Sequence, residues 1–190
     1  MGSSRQVAFV RNIMVGRRGL TREVLLDIFD RAGARDTRSY IATGNFAFSA
    51  PAASLARVSQ EVEAGIEAVL GHREEVFLRS VDELRELDQA RPFASAEGAP
   101  DHYRAVTFLP RESAWTAELP HRSPRGDIEL IAASGPNVFA LVYRVDGGTG
   151  SPHGIIERLL KVRATTRNWN TVERILKAEA RRLPLTETDG

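Results

Sequence analysis

The first 80 residues alternate between short apolar runs and stretches with helical periodicity. An apolar run such as residues 6–10 is typical of a buried strand, whereas apolar side chains three and four positions apart, as in residues 22–32, predict an amphipathic helix. Further patterns of these two kinds predict strands at 39–41, 46–48 and 76–78 and a second helix that begins after Ser54 and ends before Gly71. The resulting order, β-α-β-β-α-β, is that of a ferredoxin-like split β-α-β unit.

The second half of the chain predicts a similar order without obvious sequence identity to the first. Its patterns predict strands at 103–109, 127–131 and 138–145, a short helix at 111–119, a helix that begins at Pro152, and a last helix with Asn170 as its N-cap. Residues 91–101 have the composition of a loop. We therefore predict an α+β fold of two ferredoxin-like subdomains in tandem with an extra C-terminal helix. The predicted divisions are 1–90 for the first subdomain with a connecting helix, 91–101 for the linker, and 102–190 for the second subdomain.

Composition excludes several classes of site. The 190 residues contain no Cys, which excludes disulfides, thiol nucleophiles and iron–sulfur clusters. The four His lie in different predicted elements without the spacing of metal ligands, so we expect no metal site and no cofactor. The longest apolar run, residues 138–143, is much shorter than the roughly 20 residues of a membrane span, and no secretory signal is visible. We expect a cytoplasmic protein without a membrane partner; its oligomeric state is not predicted.

The near-neutral net charge of +1 conceals two basic regions. Residues 5–38 contain eight Arg and four acidic residues, and residues 155–182 contain eight basic and three acidic residues. If the fold brings these regions together, one face of the protein is positive and suits an anionic ligand. The alternative is that these charges lie on solvated helix faces and form local ion pairs.

Two segments carry a resemblance to a known family. The first contains Phe9-Val10-Arg11-Asn12-Ile13-Met14-Val15-Gly16 and, after the first predicted helix, Tyr40-Ile41-Ala42-Thr43-Gly44-Asn45; the second contains Thr166-Arg167-Asn168-Trp169-Asn170. Together they resemble DUF1697, a bacterial family known only as a domain of unknown function. Its three motifs are similar to Leu-Arg-Gly-Ile-Asn-Val-Gly-Gly, Gln-Ser-Gly-Asn and Thr-Arg-Asn-Trp. The resemblance implies a tandem ferredoxin-like fold and no assigned reaction.

The first two motifs of this chain depart from the family pattern. Asn12 stands where the family has Gly, Met14 where it has Asn, Arg17 where it has the second Gly, and Thr43 where it has Ser. The third motif is intact. If the first loop binds a ligand in the family, this chain is expected to bind a different one or none, as a specialised or decayed relative would.

Chain topology predicts a polar site at one end of the first sheet. In a split β-α-β unit the first strand pairs antiparallel with the third, so the turn at Thr43 lies beside the end of the first strand. Arg side chains there would donate charge-assisted hydrogen bonds to an anionic ligand. Asn would form hydrogen bonds with a polar edge of the ligand, and Trp or Tyr would stack on a ring of it. The predicted ligand-binding residues are Arg11, Asn12, Arg17, Tyr40, Thr43, Gly44, Asn45, Thr166, Arg167, Asn168 and Trp169. The alternative for each is a structural role, as a turn, a cap or a core side chain.

Three functions remain open at this point. The leading hypothesis is a protein that binds an anionic or phosphorylated ligand, which includes a nucleotide or a nucleic-acid segment. The second is an enzyme that acts on a small polar metabolite in a cleft between the subdomains, with a titratable group such as His153 or an acidic residue. The third is a non-catalytic interaction module, which would present a large apolar patch.

Overall fold

The computed structural model describes residues 3–96 and 102–182, so residues 97–101 of the predicted linker lie outside it. Within the described residues the chain is a mixed α+β fold with two antiparallel sheets and five α-helices. The helices are α1 (Arg22–Arg31), α2 (Leu55–Leu70), α3 (Val81–Gln89), α4 (Pro152–Leu160) and α5 (Trp169–Ala180).

The first sheet has the strand order β2-β3-β1-β4. It consists of β1 (Ser3–Val10), β2 (Arg35–Tyr40), β3 (Asn45–Pro51) and β4 (Val76–Ser80). Helix α1 connects β1 to β2, and α2 connects β3 to β4, so the element order of this half is the predicted β-α-β-β-α-β. Thr21 caps α1 because its hydroxyl oxygen accepts from the backbone N–H of Val24, and α2 ends at Gly71 in a left-handed conformation.

The second sheet has the order β10-β5-β8-β7-β6, and a short strand β9 pairs with β8. Its strands are β5 (His102–Phe108), β6 (His121–Arg122), β7 (Ile128–Ser134), β8 (Asn137–Val145), β9 (Gly148–Thr149) and β10 (Thr165–Asn168). Strand β10 lies on the edge beside β5, as β4 lies on the edge beside β1 in the first sheet.

Two predictions for the second half are wrong. The segment 111–119 forms turns and coil rather than a helix, because Trp115 and Leu119 give it too little apolar surface to bury against the sheet. The last helix begins at Trp169 with Asn168 as its N-cap, since the four residues before it pair with β5 as strand β10. Because the described segment between β5 and β7 contains no α-helix, the second half lacks the first of its predicted helices there.

The apolar side chains form three clusters in successive layers. One lies between the two sheets and beneath α3 and α5; it includes Phe9, Phe108 and Trp169. The second lies between the other face of the first sheet and helices α1 and α2. The third lies between the other face of the second sheet and α4. Val69 and Leu159 have the helical spacing of core residues, but both side chains are exposed near the ends of their helices.

Candidate functional site

A small cavity opens where the two halves of the chain meet. Its volume is about 200 Å³. It is lined by the end of β1 and the loop after it, the turn before β3, the first turn of α4, and β10. The predicted site residues that line it are Arg11, Asn12, Thr43, Thr166 and Arg167, and His153 lies beside them. Segments that are distant in sequence thus meet at one polar cavity.

Strand pairing positions the first-half residues of this cavity. Phe9 pairs with Asn45, and the N–H of Val10 donates to the carbonyl of Gly44 at 2.8 Å, so the turn that contains Thr43 lies against the end of β1. Asn12 follows with a φ of 50°, in the left-handed region that Gly and Asn adopt most readily. Asn12 therefore adopts this conformation at lower cost than most other residues would.

Arg167 forms the back wall of the cavity and is 8% exposed. Alternation along β10 points its side chain toward the first half of the chain. Its Nε donates to Asn45 Oδ1 at 2.6 Å, and its Nη2 donates to the carbonyls of Val10 at 2.7 Å and Gly44 at 3.4 Å. Its Nη1 donates to the hydroxyl of Thr165 and to the carbonyl of Thr166. All five N–H groups are therefore directed at protein acceptors.

Arg167 has no carboxylate partner within residues 3–96 and 102–182. Burial lowers its pKa to about 10, because a charged guanidinium is less favourable away from water. Its charge therefore faces the cavity without local neutralisation by a direct ion pair.

The first half supplies an equivalent arginine to the second. Arg79 on β4 is fully buried, and its Nε donates to Asn137 Oδ1 at 2.7 Å. Its Nη2 donates to the carbonyls of Leu109 at 2.9 Å and Pro136 at 2.8 Å. These acceptors occupy the positions in the second sheet that Val10 and Gly44 occupy in the first, since Leu109 N donates to Pro136 O just as Val10 N donates to Gly44 O. Each half thus supplies one buried arginine that donates hydrogen bonds to the equivalent acceptors of the other half.

The two arginines differ in charge environment. Arg79 lies 3.4 Å from Glu83, whereas Arg167 has no such carboxylate among the residues that the structure describes. Each guanidinium stacks over a phenylalanine, Arg79 on Phe108 and Arg167 on Phe9, and these two rings stack on each other at 4.2 Å. The reciprocal contacts therefore join the two sheets at their common core.

Arg11 lies at the side of the cavity between two carboxylates. Its guanidinium contacts Glu157 of α4 at 3.1 Å and Glu74 of the segment before β4 at 3.6 Å, and its Nε also donates to the carbonyl of Ala164. Glu157 in turn accepts from the backbone N–H of Ala164 at 2.9 Å. Arg11 thus links the two halves, and most of its charge is balanced by these two carboxylates.

His153 lines the same cavity as Arg11 and Arg167. Its backbone N–H donates to the Thr166 hydroxyl at 3.2 Å, and its ring Nδ1 lies 2.7 Å from the Ser151 hydroxyl. Burial lowers the pKa of His153, and the nearby charges of Arg11 and Arg167 lower it further, while Glu157 opposes them. The imidazole is therefore neutral at pH 7 and can accept a proton.

Tyr40, Asn168 and Trp169 do not line the cavity. The Tyr40 hydroxyl donates to Glu179 of α5 at 2.5 Å, and burial together with that carboxylate raises the tyrosine's pKa to about 12. Asn168 caps α5 with its side-chain oxygen. Trp169 is 1% exposed and packs against Phe93. These three residues therefore hold the fold together.

The remaining predicted residues, Gly44, Asn45 and Arg17, are not among the residues that line this cavity. Asn45 is fully buried behind Arg167; its Nδ2 donates to the carbonyl of Tyr40 and the hydroxyl of Thr43, both at 3.0 Å. Gly44 contributes its carbonyl. Arg17 lies in the loop after β1 and lines a neighbouring cavity, which also contacts Asn12.

Sequence reasoning missed three charged residues that shape this region. Nothing in the local pattern singles out Glu74 or Glu157 as the partners of Arg11. Arg79 did carry a signal, because it alternates with Phe77 and so must share the inward face of β4. A charged residue at an inward position of a strand predicts a buried polar contact.

The described parts of the chain, 3–96 and 102–182, contain neither a metal-ligand cluster nor a membrane-spanning helix. No group of three or more acidic or histidine side chains there is arranged to hold a metal ion. No helix there has the length and apolar character needed to cross a membrane. The polar side chains that line the cavity offer guanidinium groups, hydroxyls, one amide and one imidazole.

Comparison with known proteins gives a family and a fold. A search of curated proteins found no match. The chain is similar in structure to the conserved bacterial protein SP0830 from Streptococcus pneumoniae, with a TM-score of 0.61 and 19% sequence identity over 93% of this chain and 98% of that one. At that identity the likeness shows the fold alone.

The family model described as "Protein of unknown function (DUF1697)" matches residues 3–139, which include the first two motifs, and Arg167 lies beyond the match. The chain belongs to the DUF1697 family of proteins of unknown function.

Proposed function

We propose that the protein binds a small anionic or phosphorylated molecule in the cavity between Arg11, Thr43 and Thr166. The observation that carries this proposal is the buried guanidinium of Arg167, which faces the cavity and has no carboxylate partner in the described part of the chain. A buried cation without a counter-charge is unfavourable, and an anion in the cavity would offset that cost.

The direct contacts would come from residues other than Arg167. Because its five N–H groups are directed at protein acceptors, Arg167 would act through its positive field. The Thr43 hydroxyl accepts from Asn45 at 3.0 Å, which leaves its O–H to donate to a ligand. Arg11 adds positive charge at the side of the cavity, although Glu157 and Glu74 offset part of it.

The size of the cavity favours a small anion over a nucleotide or nucleic acid. Sites for drug-sized ligands usually have volumes of roughly 300–1,000 Å³, whereas this one has about 200 Å³. Sheet aromatics that stack on bases in RNA-binding domains are also not presented here, since Phe9, Phe46, Phe48 and Phe77 are all buried. We therefore favour inorganic phosphate, sulfate or a small phosphorylated metabolite.

Titration with inorganic phosphate tests this proposal. We expect saturable shifts of the backbone amides of His153 and Gly154 in two-dimensional NMR spectra, with an affinity that falls as salt is added. Thr43→Val should weaken binding at least tenfold, since a hydrogen bond to a charged group contributes about 1.5–3 kcal/mol. Thr116→Val, at an exposed position outside the cavity, is the control and should bind like the wild type. Absence of saturable shifts, or an equal loss in both variants, would refute the proposal.

A second candidate function is an enzyme that acts on a small polar metabolite. The position of His153 favours it, because a neutral imidazole beside a bound anion can act as a general base. The enzyme hypothesis requires that His153→Gln abolish turnover of a probe such as p-nitrophenyl phosphate while phosphate still binds. The third alternative, a non-catalytic interaction module, stays a prediction that a light-scattering mass would test.

The pairing pattern also supports a finer description of the fold. We propose that each half derives from a ferredoxin-like unit, because the first half has the strand order and helix positions of such a unit. The second half shares the strand order without its first helix. The reciprocal exchange of Arg79 and Arg167 supports the same relation.

A further inference from the structure

A larger cavity lies on the other side of the loop that follows β1. Its volume is about 390 Å³, within the range of small-molecule sites. It shares Asn12 and Ile13 with the candidate site, and Leu20 and Leu70 add further apolar surface. Its walls therefore combine apolar side chains with charged ones, as ligand sites usually do.

Two arginines of this cavity have no acidic partner in the described part of the chain. Arg17 and Arg18 are exposed, and neither forms an ion pair within the described residues. Backbone hydrogen bonds hold their loop in place. Gly16 N–H donates to the carbonyl of Leu20 at 2.8 Å, and Val15 N–H donates to the carbonyl of Ala42 in the turn before β3. The two positive charges are therefore presented from an ordered loop beside the cavity.

A buried carboxylate on the opposite wall lacks a hydrogen-bond donor. Glu74 is 7% exposed, and its Oε2 accepts no hydrogen bond in the described parts of the chain. The nearest cation is Arg11, whose Nη1 lies 3.6 Å from that oxygen, and His72 Nε2 lies 3.4 Å from Oε1. Glu74 lines the cavity, and buried carboxylate oxygens are normally hydrogen-bonded, so an O–H or N–H group of a ligand that reached this carboxylate would supply a donor that the described residues do not.

We propose that this cavity binds a small organic anion that also carries an O–H or N–H donor. Its phosphate or carboxylate lies against Arg17 and Arg18, its donor points to Glu74, and its carbon skeleton packs on Ile13 and Leu20. This second site adjoins the cavity at Arg167, with which it shares Asn12 and Ile13, and its proposal does not depend on an anion binding there.

A matched pair of probes tests the proposal on the full chain. Glycerol 3-phosphate carries a phosphate and two hydroxyls, and propyl phosphate has a similar length without hydroxyls. We expect glycerol 3-phosphate to shift the backbone amides of residues 13–20 and 72–74 saturably, with an affinity at least tenfold higher than that of propyl phosphate. Glu74→Gln should reduce this ratio toward one, because a neutral amide is a weaker acceptor than a carboxylate.

Charge-removal variants separate the site from general electrostatics. Arg17→Ala with Arg18→Ala should lower the affinity for glycerol 3-phosphate at least tenfold. Arg174→Ala with Lys177→Ala removes two positive charges from exposed positions on α5 and should leave it unchanged. Equal affinity for the two probes, equal losses in both double variants, or no saturable shifts in residues 13–20 would overturn the proposal. Shifts confined to His153 and Gly154 would overturn it while supporting the first cavity.

Discussion

Replacing Arg167 with methionine tests whether the reciprocal arginines hold the two halves together. Methionine fills a similar elongated space but donates no hydrogen bonds. Arg167→Met would leave the buried Asn45 Oδ1 and the carbonyl of Val10 without the guanidinium donors that lie 2.6 and 2.7 Å away. The variant would also remove the contact between the guanidinium and the ring of Phe9.

The expected loss is about 3 kcal/mol of unfolding free energy. Each buried acceptor left unpaired costs about 1–3 kcal/mol, and the two above therefore cost roughly 2–6 kcal/mol. Burying the Arg167 cation is itself unfavourable, as its lowered pKa indicates. Removing that cation therefore offsets part of the cost of the two unpaired acceptors. For a protein of about this size, 3 kcal/mol corresponds to a fall in Tm of about 6–12 °C.

Urea denaturation of matched variants measures this effect. Arg79→Met removes the equivalent contacts to Asn137 and Leu109 and should lose a similar amount. Arg167→Lys keeps the charge but provides fewer donors, so it should fall between the wild type and Arg167→Met. Losses below about 1 kcal/mol for both methionine variants would show that the exchanged arginines do not hold the halves together.

Three further predictions concern single positions. Gly44→Ala should cost about 2 kcal/mol or more in urea denaturation, because its φ is +72° and a Cβ would lie 2.6 Å from Ile13; Gly16→Ala, with a φ of +88° and open space, should cost about 1 kcal/mol. His153→Gln should reduce the fall in stability below pH 6.5 in unfolding series, because the lowered pKa of His153 makes the folded state bind its proton more weakly than the unfolded state; an unchanged pH profile would contradict that assignment. Tyr40→Phe should lower the unfolding free energy by about 2 kcal/mol in thermal melts, because the hydroxyl donates to a carboxylate, and no change would show that this bond contributes nothing.

Local patterns predicted much of the first half and of the site's first-half residues. The hydrophobic periodicity identified α1 and α2, and antiparallel pairing of β1 with β3 follows from their order, which places Thr43 beside Arg11. That prediction needed only local signals and one rule of topology. The resemblance added the segment that contains Arg167 but not its position in space.

The contacts between the halves could not be predicted because they depend on packing over long sequence distances. Residues 165–168 were not predicted as a strand, since a polar run of four residues becomes β10 only by pairing with β5. Asn45 and Arg167 meet because the two sheets pack face to face, which no local pattern encodes. The burial of Arg79 could in principle have been predicted, because Arg79 lies on the same face of β4 as Phe77.

The measurement that tests the proposed function most directly is a crystal structure of the protein soaked with selenate, whose anomalous scattering locates a tetrahedral anion. We predict an anomalous peak in the cavity at Arg11, within hydrogen-bond distance of the Thr43 hydroxyl. A well-diffracting soaked crystal with no peak there, or with selenate bound only at exposed arginines, would contradict the proposal that this cavity is an anion site.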